Sequence, residues 1–98
     1  MNAIVLHVEL TVLAEHRQAY LDRVLKHRRN VRDNEPACRQ FDISVDDENP
    51  NLVRLYEVYD DGAAVDHHMQ TSYMIAYRDE TAPMIVHRKL TRAVRVHD

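Results

Sequence analysis

Apolar and polar residues alternate from Ala3 to Val12. Ile4, Leu6, Val8, Leu10 and Val12 fall on one face, and Ala3, Val5, His7, Glu9 and Thr11 on the other. That period belongs to a strand with one apolar and one mixed face. From Ala14 to about Arg32 the period turns helical, and Tyr20, Leu21, Val24, Leu25 and Arg28 or Val31 share a stripe. Asn34-Glu35-Pro36 ends this helix, because the residue before a proline is pushed out of the α region. Alternation returns from Cys38 to Val45, with Phe41, Ile43 and Val45 on one side and Gln40, Asp42 and Ser44 on the other. A polar turn, Asp46 to Asn51, leads into a third strand from Leu52 to Tyr59. Asp60 or Asp61 then caps a short helix from Asp61 to about Met69. A further helical segment follows from Thr71 to Tyr77, then a loop at Thr81-Ala82-Pro83 and a last strand from about Val86 to Val96.

The order βαββαβ predicts an α+β fold of the ferredoxin-like kind. It has a four-stranded antiparallel sheet with its helices on one face, and the third strand lies between the first and second. The face of Ile4, Leu6, Val8 and Leu10 takes the helices. Arg39 shares the side of Phe41 and Ile43, where it either marks an anion-binding pocket or, the favoured reading at a strand's start, snorkels its stem to the sheet edge. The opposite face carries Val5, His7, Glu9, Asp42 and Ser44, a mixture suited neither to solvent nor to a core. Pairing that face with a second copy predicts a homodimer.

Composition narrows the class. The 98 residues make one domain, residues 1–98, with no linker or internal repeat. The single cysteine, Cys38, allows no intrachain disulfide and suits a reducing compartment. No apolar run nears the roughly 20 residues that span a bilayer. The N-terminus opens directly into a strand pattern. Together these predict a cytoplasmic protein with no membrane partner. The formal net charge of −3 predicts no nucleic-acid binding. The local run Arg23, Lys26, Arg28, Arg29 and Arg32 reads as a solvated helix end.

The candidate chemistry centres on His68. With Ala64, Val65 and Met69 it shares the inward face of the second helix, while His67 points elsewhere. An inward imidazole beside a strand bearing Glu57 and Tyr59 is a candidate proton-handling group. Position alone favours the plainer reading, a core histidine held by a hydrogen bond. Periodicity allows either Val53, Leu55, Glu57 and Tyr59 or Arg54 and Tyr56 to face inward. Seven histidines raise the question of a metal. His67 and His68 diverge by roughly 100° on a helix, and no paired-ligand motif is present, so no metal is predicted.

Val8 to Val12, Glu35-Pro36-Ala37-Cys38, Phe41-Asp42-Ile43, Asn49-Pro50 and above all Leu55 to Asp61 followed by Ala64-Val65-Asp66-His67-His68 resemble the antibiotic biosynthesis monooxygenase family. The likeness runs over nearly the whole chain. It implies a dimeric α+β barrel closed by the mixed sheet faces, with a pocket between sheet and helices in each subunit. It implies an oxidoreductase that needs no cofactor and acts on a small quinol, phenol or enolisable substrate by deprotonation and direct reaction with O₂. It favours Glu57 and Tyr59 as the inward pair and gives His68, Tyr59 and Glu57 as catalytic residues. Phe41, Val53, Leu55, Met69, Tyr73 and Tyr77 then line the substrate pocket. The same likeness admits a phosphorylated sugar-ketone isomerase of the autoinducer-2-processing type, or a non-catalytic small-molecule-binding dimer. Haem-degrading relatives are matched less well: the chain has no tryptophan, and Leu6, His68 and Arg78 stand at their haem-site positions. Ala37 stands where the family usually has glycine, which implies a turn without a positive φ.

Overall fold

Strand β1, Ile4–Val12, puts its apolar alternate residues on one face and buries all of them. A computed structural model describes residues 2–97; Met1 and Asp98, the ends of the predicted domain, lie outside the described residues. A 3-10 turn at Ala14–His16 leads into helix α1, Arg17–Asn34. Strands β2, Cys38–Val45, and β3, Leu52–Tyr59, form a hairpin. Helices α2, Gly62–Gln70, and α3, Ser72–Thr81, follow, and a second 3-10 turn, Ala82–Met84, opens into β4, Ile85–Val94. The sheet is antiparallel in the order β2-β3-β1-β4, the predicted ferredoxin-like topology.

Register decides which residues of β3 face the helices. Leu6 pairs with Glu57, Val8 with Leu55 and Leu10 with Val53. Directly paired residues share a face, so Val53, Leu55, Glu57 and Tyr59 lie on the helix side. Arg54 and Tyr56 lie on the other, beside Glu9 and His7. There Arg54 bridges Asp46 at 2.8 Å and Glu9 at 3.5 Å.

The sequence pattern is corrected in four places. Helix α1 buries Tyr20, Val24, His27 and Val31, a strict three-four spacing. Leu21 is only partly covered, and Leu25 is 47% exposed. In β2, a register shift between Cys38 and Gln40 leaves Arg39 outside the alternation. Its guanidinium therefore sits at the surface, 2.7 Å from Asp60, and not over the core. The basic end of α1 does more than solvate. Arg28 donates to the Phe41 carbonyl at 2.6 Å, and Arg32 to the Cys38 carbonyl at 2.7 Å. These bonds tie α1 to β2. Helix α3 also runs one turn beyond the predicted Tyr77. No described non-glycine residue has a positive φ, in keeping with Ala37 at the turn before β2.

Candidate active site

Hydrophobic burial explains nearly all of the core; four buried ionisable side chains do not fit it. His27, Glu35, Glu57 and His68 each expose 4% or less of their surface, and they gather between the helices and the sheet. Each is placed by a separate local device. Asp61 caps α2, its side chain accepting from the Ala64 amide at 2.9 Å. That cap fixes the helix phase, so Val65 and His68 turn inward and His67 stays exposed. Glu35 follows α1, and its amide still bonds the Val31 carbonyl at 2.8 Å. The last turn thereby throws the Glu35 carboxylate under α2. Glu57 stands on β3 between Leu6 and Phe41.

Three of the four, Glu35, His68 and Glu57, take part in two hydrogen-bond systems. His68 Nδ1 lies 3.0 and 3.1 Å from the two carboxylate oxygens of Glu35. The Tyr73 hydroxyl donates to the same carboxylate. A carboxylate only accepts, so Nδ1 carries a ring proton, and in the neutral tautomer it is Nε2 that holds the lone pair. Nε2 faces Glu57 Oε1 at 3.8 Å, beyond a direct hydrogen bond. The Tyr59 hydroxyl donates to that same oxygen at 2.7 Å.

Burial raises the Glu57 carboxyl above the usual range, against the opposing pull of the Tyr59 hydrogen bond and of His68. Burial likewise raises both donor phenols, helped by Glu57 at Tyr59 and by Glu35 at Tyr73, so both remain protonated. His27 moves the other way. Burial, then His68 and Arg23, lower it from 6.5 to about 3, which leaves a neutral imidazole. Its ring stacks on Tyr77 at 4.2 Å, and its buried Nδ1 has no partner among the described residues.

A small chamber of about 20 Å³ lies at the meeting point, lined by His27, Glu57 and His68 together with Leu55, Met69, Met74 and Tyr77, and bounded on the β4 side by Arg88 and Leu90. That is room for about one water. The two methionine side chains, flexible and polarizable, give it walls that can yield to a ligand.

Of the residues singled out from the sequence, the chamber gathers His68, Glu57, Leu55, Met69 and Tyr77. Tyr59 and Tyr73 stand behind it as donors to the two carboxylates. Phe41 packs edge-on against His27 at 5.8 Å, and Val53 lies fully buried in the core away from the chamber wall. Two residues of the cluster escaped the sequence reading. Glu35 looked like part of a turn signal. His27 completes the Tyr20, Val24, Val31 stripe, a spacing that could have revealed it. No cluster of three or more metal-ligating side chains occurs among the described residues.

The sequence profile of the antibiotic biosynthesis monooxygenase family matches residues 3–80. The chain belongs to this family. Solved structures bearing the family's name share its fold. One from Caulobacter crescentus superposes with a TM-score of 0.94 at 20% identity, over 98% of this chain and 92% of its own. One from Bacteroides thetaiotaomicron gives 0.91 at 23% identity, over 98% and 91%. One from Deinococcus radiodurans gives 0.90 at 19% identity, over 97% and 94%. No curated protein matches the sequence. For this monooxygenase-family chain the neighbours establish the fold; the chemistry must be argued from its own residues.

Proposed function

We propose that the protein is a cofactor-independent monooxygenase acting on a small quinol, phenol or enolisable substrate. The observation that carries this reading is the buried His68, which lines the chamber with its Nδ1 held by Glu35 and its Nε2 facing Glu57 at 3.8 Å. A substrate O–H placed there gives its proton to Nε2, and the Glu35 carboxylate stabilises the imidazolium that forms. The electron-rich anion passes an electron to O₂, and the two radicals combine into a peroxide on the ring carbon. His68 returns its proton as the O–O bond breaks. A quinol plus O₂ thus yields a hydroxyquinone plus water, with the substrate supplying all the electrons. The neutral His27, with a free nitrogen, is placed to hydrogen-bond the substrate oxygen. Apolar walls of leucine, methionine and tyrosine keep water out while the anion exists.

One feature favours a second reading. Glu57, pushed toward its acid form, faces Nε2 of His68. An acid and a base on one cavity could move a proton between adjacent carbons through an enediol, as in a sugar-ketone isomerase. An oxygen electrode separates the two. With a panel of quinols and phosphorylated ketones, the monooxygenase reading expects O₂ uptake that requires an acidic O–H. Isomer formation without O₂ uptake overturns it in favour of the isomerase. Ligand binding with no turnover of either class leaves a non-catalytic binding protein.

The proposal includes a cytoplasmic homodimer joined through the open sheet face. None of the three helices packs on that face, whose ring pair His7 and Tyr56 lies edge-on at 5.3 Å and whose Ala3, Val5 and Val58 form a small apolar cluster. An obligate interface there should bury on the order of 2,000 Å² or more. Sedimentation should give twice the chain mass at micromolar concentration, and a stable monomer contradicts this part of the proposal.

A further inference from the structure

A second cavity adjoins the small chamber. It is an open groove of about 330 Å³ between α3 and the start of β4. Tyr77 and Arg88 line both spaces and form the partition between them. The groove has an apolar floor, including Leu10, Ala82 and Ile85. Its fixed charges are all positive: Arg78 and Arg88 line it, and no carboxylate does.

These two arginines differ from most others in the chain. Arg17, Arg23, Arg28, Arg32, Arg39, Arg54 and Arg92 each hold a side chain or carbonyl of the protein. Arg78 and Arg88 make no hydrogen bond or ion pair among the described residues, so their guanidinium donors are free. Arg88 pairs with Leu10 across the sheet and so lies on the helix face. From there its charge is felt by buried Glu57, whose carboxyl it pulls down against the effect of burial. A chain of net charge −3 thus keeps two unpaired guanidinium groups at the mouth of its most buried polar cluster.

The geometry points to an anionic ligand: an aromatic acid whose carboxylate or phosphate sits in the groove on Arg88 and Arg78 while its ring presses past Tyr77 toward His68. The guanidinium fork matches such an oxyanion in geometry as well as charge. The groove's apolar floor covers the ring that a cavity of about 20 Å³ could not admit alone. This inference rests on the monooxygenase reading for the role of His68, but the seat itself is a binding property.

Calorimetric titration with 1-hydroxy-2-naphthoate, 1-naphthyl phosphate and neutral 1-naphthol tests it on the full chain without turnover. At least one of the two anions should bind roughly tenfold or more tightly than 1-naphthol, the scale of one or two hydrogen bonds to charged groups. Which of them does so identifies carboxylate or phosphate as the preferred source. Arg88→Gln should erase that preference and Arg78→Gln should reduce it. Both residues are exposed, so neither change should prevent folding. The preference should also weaken as ionic strength rises from about 0.01 to about 0.15 M. His68→Gln should leave it intact. Equal affinity for acid and neutral ligand, a preference that survives both arginine substitutions, or no binding of any probe overturns the proposal. Anion preference without O₂ uptake sinks only the oxygenase reading. O₂ uptake on neutral quinols with no anion preference sinks only the seat.

Discussion

His68→Gln is expected to lower turnover by roughly 10²–10⁴-fold, the scale for losing a positioned proton acceptor. Glutamine keeps a polar side chain of similar reach, so ligand affinity should change far less. His67→Gln should alter turnover little, because His67 is one residue further round the helix and exposed. The adjacent pair makes its own control: same helix, same substitution, opposite directions. Parallel measurement of kcat and of ligand Kd on both variants checks it. If both variants turn over normally, the Glu35–His68 contact is a core hydrogen bond and not a proton relay. If His67→Gln is the damaging change, the base has been misassigned.

The second large effect concerns acid stability. His27 holds a proton poorly in the folded chain, at about 3, but at 6.5 when unfolded. Above 6.5 both states carry a neutral ring, and the contribution is constant. As pH falls from 6.5 toward 3 the unfolded chain takes up a proton that the folded chain refuses, so stability is progressively lost. Down to about pH 4 this one group should cost on the order of 3 kcal/mol. Glu57 works in the opposite sense. Its raised carboxyl takes up a proton in the folded chain first, so its contribution grows as pH falls. His27→Phe keeps a ring stacked on Tyr77 and removes only the titration. Denaturant unfolding from about pH 7 to about pH 4 should therefore show a flatter decline in the variant, with the contribution of Glu57 common to both. Parallel curves for variant and parent would refute this account of His27.

What the sequence disclosed follows from which forces act locally. Strand alternation and the helix phase at Asp61 are one-dimensional patterns, so the two faces of β1 and the inward turn of His68 could be read directly. Arg39 could not be placed, because the shift that removes it from the alternation exists only in the pairing of β2 with β3. On α1, Leu21 and Leu25 drew the stripe one position aside. Hydropathy favours them over His27, whose burial depends on Tyr77 and Phe41 arriving from distant elements. Glu35 is the clearest case. As a residue before proline it marks the end of a helix, and only the docking of α2 and α3 gives its carboxylate His68 and Tyr73 to bind. The choice between the two faces of β3 likewise needed the register with β1.

Oxygen-isotope labelling tests the central claim most directly. The wild-type protein and His68→Gln are given a quinol that supports O₂ uptake, under ¹⁸O₂. The account predicts one labelled oxygen in the hydroxyquinone and the other in water, at a rate that collapses in His68→Gln. An unlabelled product accompanied by hydrogen peroxide, or a labelled product formed equally fast without the His68 imidazole, would contradict it.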